Sequence, residues 1–447
     1  MAQLQNCIID ARFIERIMHE MGWSSINQMT TIRQFNTLAH RLEEESGKKF
    51  IHMGVGNPGL PPAEPGVEAQ VKAILDGCPA TYPESGGTIR FRKAASQFIS
   101  DFLNVNVNYA NCMATIGSTQ AAYLFMMALK FANKDRDTML FLCPDFPVHK
   151  MQAKVLGINT ENLDISQCRG NALRDELEKL LKKGNIHSLI YSSPNNPTWQ
   201  CLTDEELQII GELANEYNVI VIEDLAYFGM DFRKDYSKPG VPPYQPTVGK
   251  YAEYFVLMIS SSKVFSYPGE RIGILAICDK LASLESPVLK KEWQQANLRD
   301  FIVYIGIAAT TTSATYSAQE AIAAIMEALH NGTYNYRDNV LEYGRKAALM
   351  KKAFIDNGFY ITYDKDCGDP IADGFYFTYC YPGFTGLELV LEMYKYGISG
   401  IPLSLCDSER EGVRCCCALI PIRQVETTLP ERLAAFAEDH PVQVKKN

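Results

Sequence analysis

Lys263 follows an apolar run, Tyr254 to Ile259, and a short Ser260-Ser261-Ser262 bridge, with Val264 and Phe265 behind it. A lysine at the end of a buried strand and flanked by apolar side chains loses hydration. Its amine pKa falls toward the neutral form that attacks a carbonyl. The Pro268-Gly269 turn then brings back Arg271, whose planar fork suits a phosphate, and Ser260 offers a hydroxyl to the same anion. Taken singly, Lys263 and Arg271 also read as ordinary surface charges.

Three further segments carry polar groups at the ends of apolar runs, where open α/β sheets hold their ligands. The run Val219 to Ile222 ends in Glu223-Asp224-Leu225-Ala226-Tyr227. A buried carboxylate there is costly without a partner, and a protonated ring nitrogen would satisfy Asp224; a solvated loop acid is the plain alternative. Gly117-Ser118-Thr119 opens a helix, whose first N–H groups can hold a phosphate, although Ser and Thr are also the commonest caps. Ser192 to Thr198 sets Asn195 and Asn196 between two prolines, which also describes a stiffened turn.

These groups need a frame. Short apolar runs at 138–143, 186–191, 219–222, 254–259 and 272–278 alternate with helical patterns. That alternation predicts an α/β fold, with a mostly parallel sheet wrapped by helices. Thr203 with Glu206 predicts a capping box for a crossover helix, and Ser317 with Glu320 predicts another. Ile32, Phe35, Leu38, Ala39 and Leu42 predict an amphipathic helix over 31–45, ending before Gly47. Beyond residue 317, two helical patterns and alternating segments at 374–379 and 413–419 predict a smaller α+β domain. The expected division is a large domain over 76–320, with 1–75 and 321–447 forming the small one.

The 447 residues, 47% hydrophobic and 21% charged, suffice for two cores. A net charge of -9 with scattered Lys and Arg argues against nucleic acid. Asp10, Arg12, Glu15 and Arg16 interrupt any export signal, and no apolar run is long enough to span a bilayer, so a soluble, cytoplasmic protein is expected. Thirteen cysteines without framework spacing fit a reducing compartment. Cys415, Cys416 and Cys417 are expected as buried thiols: neighbours on a strand face opposite ways and cannot all ligate one metal, and no metal is expected.

In order, Asn195-Asn196-Pro197-Thr198, Asp224 with Tyr227, and Ser260 to Lys263 with Arg271 resemble the fold type I pyridoxal phosphate enzymes, specifically the class I and II aminotransferases. The resemblance spans about residues 50 to 420. It implies that Lys263 holds the cofactor as a Schiff base and carries the proton, and that Asp224 binds the pyridine nitrogen. It further implies that Tyr227 and Asn196 bind the ring oxygen and that Phe146 stacks on the ring. Gly117, Ser118, Thr119, Ser260 and Arg271 would form the phosphate cup. Tyr82 would reach the phosphate of a neighbouring subunit, making a homodimer with shared sites. Arg414 would bind the substrate α-carboxylate, with Gly56 and Asn196 close to it. The implied reaction moves the amino group of an amino acid to a 2-oxo acid in two half-reactions.

Departures fall around the substrate pocket. Trp199 stands where the family has Gly after Asn-Pro-Thr, so the loop must change its backbone or tolerate strain. Pro402-Leu403 replaces the usual Pro-Gly. The same cofactor cage also serves C–S lyases and cyclopropane-forming synthases, which is the nearest alternative. A transcription regulator that reuses the fold as a ligand sensor is a further one, and it would need a DNA-binding domain that the first fifty residues do not display; a pyridoxal phosphate-binding protein without turnover is another.

Overall fold

Residues 138–143, Thr-Met-Leu-Phe-Leu-Cys, are nearly devoid of polar side chains, so a strand there is stable only with both faces covered. The computed structural model, which describes residues 6–133 and 135–442, buries every one of them. This strand belongs to a seven-stranded sheet of β1 (Cys112–Thr115), β2 (Thr138–Cys143), β3 (Asn159–Asp164), β4 (Ile186–Ser192), β5 (Ile220–Leu225), β6 (Phe255–Ser260) and β7 (Gly273–Ile277). The spatial order is β1-β7-β6-β5-β4-β2-β3. All neighbours are parallel except those of β7, which runs antiparallel to β1 and β6.

That topology sets the site. β1, β2, β4, β5 and β6 all end at one edge of the sheet, and β7 begins there, with Gly273 opposite both Thr115 and Ser260. The residues just after Thr115, Cys143, Ser192, Asp224 and Ser260, and those just before Gly273, therefore share one rim. The sheet is mostly parallel, as expected. Two strands were not anticipated: β1 is only four residues long, and β3, Asn-Thr-Glu-Asn-Leu-Asp, is polar because it is an edge strand.

The sheet lies in a compact unit of Leu60–Asn195 with Cys201–Val340. Its crossover helix α4 (Asp204–Glu216) starts with the expected box, Thr203 capping Glu206 and Glu206 returning to Thr203. The second box does not form. Helix α6 (Tyr316–His330) begins at Tyr316, so Ser317 lies inside its first turn, and Thr315 at the N-cap makes no side-chain bond. Glu320 pairs instead with Arg90 at 2.6 Å. The helix Glu64–Leu75 lies against α6 through Gly66, where a Cβ would come within 2.6 Å of Ile325.

The other unit comprises Met1–Gly59, Asn196–Gln200 and Leu341–Asn447. Its four-stranded antiparallel sheet has the order β10-β11-β9-β8, from β8 (Tyr360–Ile361), β9 (Tyr376–Cys380), β10 (Ile401–Pro402) and β11 (Val413–Cys416). Helix α1 (Ile32–Ser46) has the predicted stripe, with a Thr31–Gln34 capping box and a left-handed Gly47 at its end. Cys415, Cys416 and Cys417 are fully buried in this core, and burial pushes the thiols of Cys415 and Cys417 up. Cys415 and Cys417 are free thiols.

Candidate active site

In the larger unit, Asp224 is 4% exposed at the end of β5, where its Oδ1 accepts one backbone N–H, from Ala226 at 3.0 Å. Burial pushes its carboxyl up to about 7, against the single hydrogen bond that lowers it. The nearest basic group is His149 of helix α3 (Pro147–Val155), with Nε2 3.6 Å from Oδ2. Burial pushes that imidazole down to about 4, so at neutral pH it is uncharged. The pair is thus no ion pair, and its separation exceeds a hydrogen bond. Asp224 is left short of a cationic N–H partner. His149 also meets Phe146 edge to face, with centroids 5.4 Å apart. The sequence reading missed His149, whose signal was its position one helical turn after Phe146.

Strand β6 lies beside β5, with Asp224 opposite Met258 and Leu225 opposite Ile259. It delivers Ser260, whose Oγ caps the four-residue helix α5 (Ser261–Val264) by accepting the N–H of Ser262 at 3.2 Å. Lys263 is half-buried on that helix. Tyr227, in the turn after β5, is buried.

Helix α2 (Gly117–Ala132) starts with no side-chain cap, and Gly117 has φ +69°. Its first N–H groups, those of Ser118 and Thr119 among them, have no intrahelical acceptor. Beside them is the Arg271 guanidinium: a Cβ on Gly117 would lie 2.7 Å from its Nη2. A Cβ on Gly273 would lie 2.9 Å from the Ser118 nitrogen, so both glycines keep this corner open to the backbone. Arg271 is held by its own Nη1, which donates to the Pro268 carbonyl at 2.9 Å. The uncapped start of α2 and the Arg271 guanidinium meet at this corner, an arrangement that can hold an anion. Tyr82, by contrast, is 83% exposed.

The smaller unit holds Arg414, 2% exposed on β11. Its Nη1 donates to Asn196 Oδ1 at 3.0 Å and its Nη2 to the Gly54 carbonyl at 2.8 Å. Its Cζ stands 4.7 Å over the Tyr376 ring. The register explains this: Thr378 is opposite Arg414, and Tyr376, two residues along β9, lies on the same sheet face. Of the expected neighbours, Asn196 contacts Arg414 directly. Gly56 meets the Tyr376 hydroxyl, which would be 2.2 Å from its Cβ, and the carbonyl bound to Arg414 is that of Gly54. Trp199 keeps the left-handed backbone, φ +64°, at a cost of roughly 1–2 kcal/mol for an L residue. Strain is tolerated there, not avoided.

The model of the family described as aminotransferase class I and II matches residues 48–417. A probable aspartate aminotransferase of Methanocaldococcus jannaschii is 26% identical over 325 residues, 72% of this chain and 80% of that protein. An LL-diaminopimelate aminotransferase of Aquifex aeolicus is 30% identical over 236 residues, 52% of this chain and 58% of that protein. Among solved structures, the aspartate aminotransferase from Thermus thermophilus with maleate has a TM-score of 0.73 at 17% identity, covering 91% of this chain and 97% of that one. The alanine aminotransferase from Pyrococcus furiosus has a TM-score of 0.73 at 20% identity, covering 92% and 98%. With that family model covering residues 48–417, the chain belongs to the class I and II aminotransferases, pyridoxal phosphate-dependent enzymes.

Proposed function

We propose that this protein moves the α-amino group of an amino acid to a 2-oxo acid, with Lys263 as the cofactor-binding lysine and proton carrier. The observation that carries the assignment is Asp224, a buried carboxyl with one backbone donor, at the end of the strand beside the one that delivers Lys263. Its deficit fits a pyridinium N–H: a cation there restores the charged carboxylate that burial opposes. When bound, pyridoxal phosphate supplies an electron sink for the charge left as the Cα proton departs.

The chain's own residues do the rest. Asp224 holds the ring nitrogen protonated, with His149 beside it as a neutral, desolvating neighbour. Tyr227 and Asn196 donate toward the ring oxygen, and Phe146 stacks on the ring face. Gly117, Ser118, Thr119, Ser260 and Arg271 bind the phosphate. Lys263 would move the proton at Cα. Arg414 takes the α-carboxylate as a bidentate pair, with Asn196 and Gly54 orienting its fork. Gly56 belongs to the same pocket.

We also read the protein as a cytoplasmic homodimer with Tyr82 donated to the neighbouring subunit's phosphate. Support comes from the 83% exposure of Tyr82, and no described helix is long and apolar enough to cross a membrane. The test is a single-turnover panel of amino acids against the cofactor-loaded protein, read by conversion of the aldehyde to the amine form. Amine-form cofactor together with a 2-oxo acid supports transamination. Ammonia released without any oxo-acid acceptor would assign a lyase instead.

A further inference from the structure

Trp199 is the residue at which this chain's Asn-Pro-Thr loop leaves the family pattern, and its backbone is still the one glycine favours. A bulky residue persists in that conformation only when its side chain is held by strong packing. Here the indole is fully buried. It lies across Gly374, where a Cβ would be 2.1 Å from the indole Cε2 and Nε1. Position 374 therefore admits no side chain while 199 is tryptophan. The indole also meets the Tyr376 ring edge to face, at 6.2 Å between centroids and 70° between planes. Tyr376 in turn carries the Arg414 guanidinium over its face, 4.7 Å from the centroid, and its hydroxyl occupies the space a side chain at Gly56 would need.

These contacts form one continuous chain inside the smaller unit. We propose that Trp199 is a positioning residue for the substrate carboxylate: its indole fixes the Tyr376 ring, and the ring face fixes the plane in which Arg414 presents its fork. A guanidinium stacked on an aromatic keeps its donors in plane and loses its freedom to rotate out of it. The hydrogen bonds to Asn196 and Gly54 set its direction, and the ring face sets its plane. Pre-orientation of this kind lowers the entropy lost when a planar bidentate ligand binds. The inference rests on Arg414 being the carboxylate clamp of the proposed reaction.

The test separates carboxylate capture from chemistry. In cofactor-loaded protein, Trp199→Gly keeps the backbone conformation and deletes the indole, and Trp199→Phe keeps an aromatic. The expected result for Trp199→Gly is roughly a tenfold rise in the amino-acid concentration for half-maximal half-reaction rate, with the maximal rate and cofactor absorbance within about threefold of wild type. Trp199→Phe should recover part of the loss, and Gly374→Ala, which displaces the indole, should reproduce it. Where Trp199→Gly does not fold, the other two variants decide. Maleate binding, measured by calorimetry, reports the clamp without turnover and should weaken in parallel. Wild-type protein that binds maleate yet transaminates no amino acid would refute the reaction and leave the chain of contacts testable by maleate alone. A folded Trp199→Gly protein with unchanged half-saturation, or one that loses maximal rate only, overturns the inference; so does wild-type protein that neither turns over nor binds.

Discussion

Asp224 and His149 stand 3.6 Å apart at the carboxyl rim of the large sheet, and burial drives them in opposite directions, the acid up to about 7 and the imidazole down to about 4. Each is thereby pushed toward its neutral form. Neutral imidazole forms no ion pair with the acid, and a cationic ligand beside it would satisfy the buried carboxylate.

A pH dependence of stability follows for the cofactor-free protein. An acid raised from 3.8 to about 7 favours folding fully below pH 4, and that contribution is lost as pH rises toward 7. The loss is on the order of a few kcal/mol at most. Asp224→Asn removes it, so relative to wild type the cofactor-free variant should gain melting temperature between pH 5 and 7. The same variant, loaded with cofactor, should lose turnover. His149 acts in the reverse sense in both proteins, since its lowered pKa costs stability as pH falls from 6.5 toward 4. Identical melting profiles for wild type and Asp224→Asn would show that the acid is not the desolvated group.

Lys263→Ala should abolish the absorbance of the lysine-bound cofactor and all turnover while leaving the fold intact. The residue is half-buried on a four-residue helix that the Ser260 hydroxyl caps, so truncation leaves the capping bond in place. Far-UV circular dichroism and a melting curve check the fold. Retained activity would refute the assignment.

Arg414→Lys should raise the amino-acid concentration for half-maximal rate by roughly 10- to 100-fold, because lysine supplies no planar fork and strands the acceptors on Asn196 and Gly54. Cofactor loading, for which every proposed contact except Asn196 lies in the other unit, should be largely unchanged. Stopped-flow titration of the half-reaction distinguishes the two effects.

Why some of this was legible in the sequence and some was not has a physical basis. Residues 138–143 and 254–259 read as strands because strands covered on both faces must be apolar throughout. The edge strand 159–164 carries no such constraint and looks like a loop. Thr203 and Ser317 head the same capping pattern, yet only Thr203 sits one residue before its helix; Ser317 is displaced by a helix that starts at Tyr316. The placement of Lys263, Asp224 and Arg271 near strand ends was legible because the strands around them are apolar runs, and strand ends converge by topology. His149 and Tyr376 were not, since their roles come from a helical turn and a cross-strand register that place ordinary core residues beside charged ones.

Tyr82 offers the remaining test, of shared sites. Its ring is 83% exposed, an unusual position for a tyrosine unless a surface covers it. In a dimer that places this hydroxyl on the neighbouring subunit's phosphate, Tyr82→Phe should loosen cofactor retention by roughly tenfold, the worth of about one charge-assisted hydrogen bond. Mixed subunits make the prediction sharper. A chain carrying Tyr82→Phe keeps Lys263, and a chain carrying Lys263→Ala keeps Tyr82; reassociated together, they form one site with both residues native. Tight cofactor binding should then return in about half of the mixed dimers' sites. Sedimentation as a monomer at micromolar concentration, or no recovery on mixing, would mean that Tyr82 serves no site beyond its own chain.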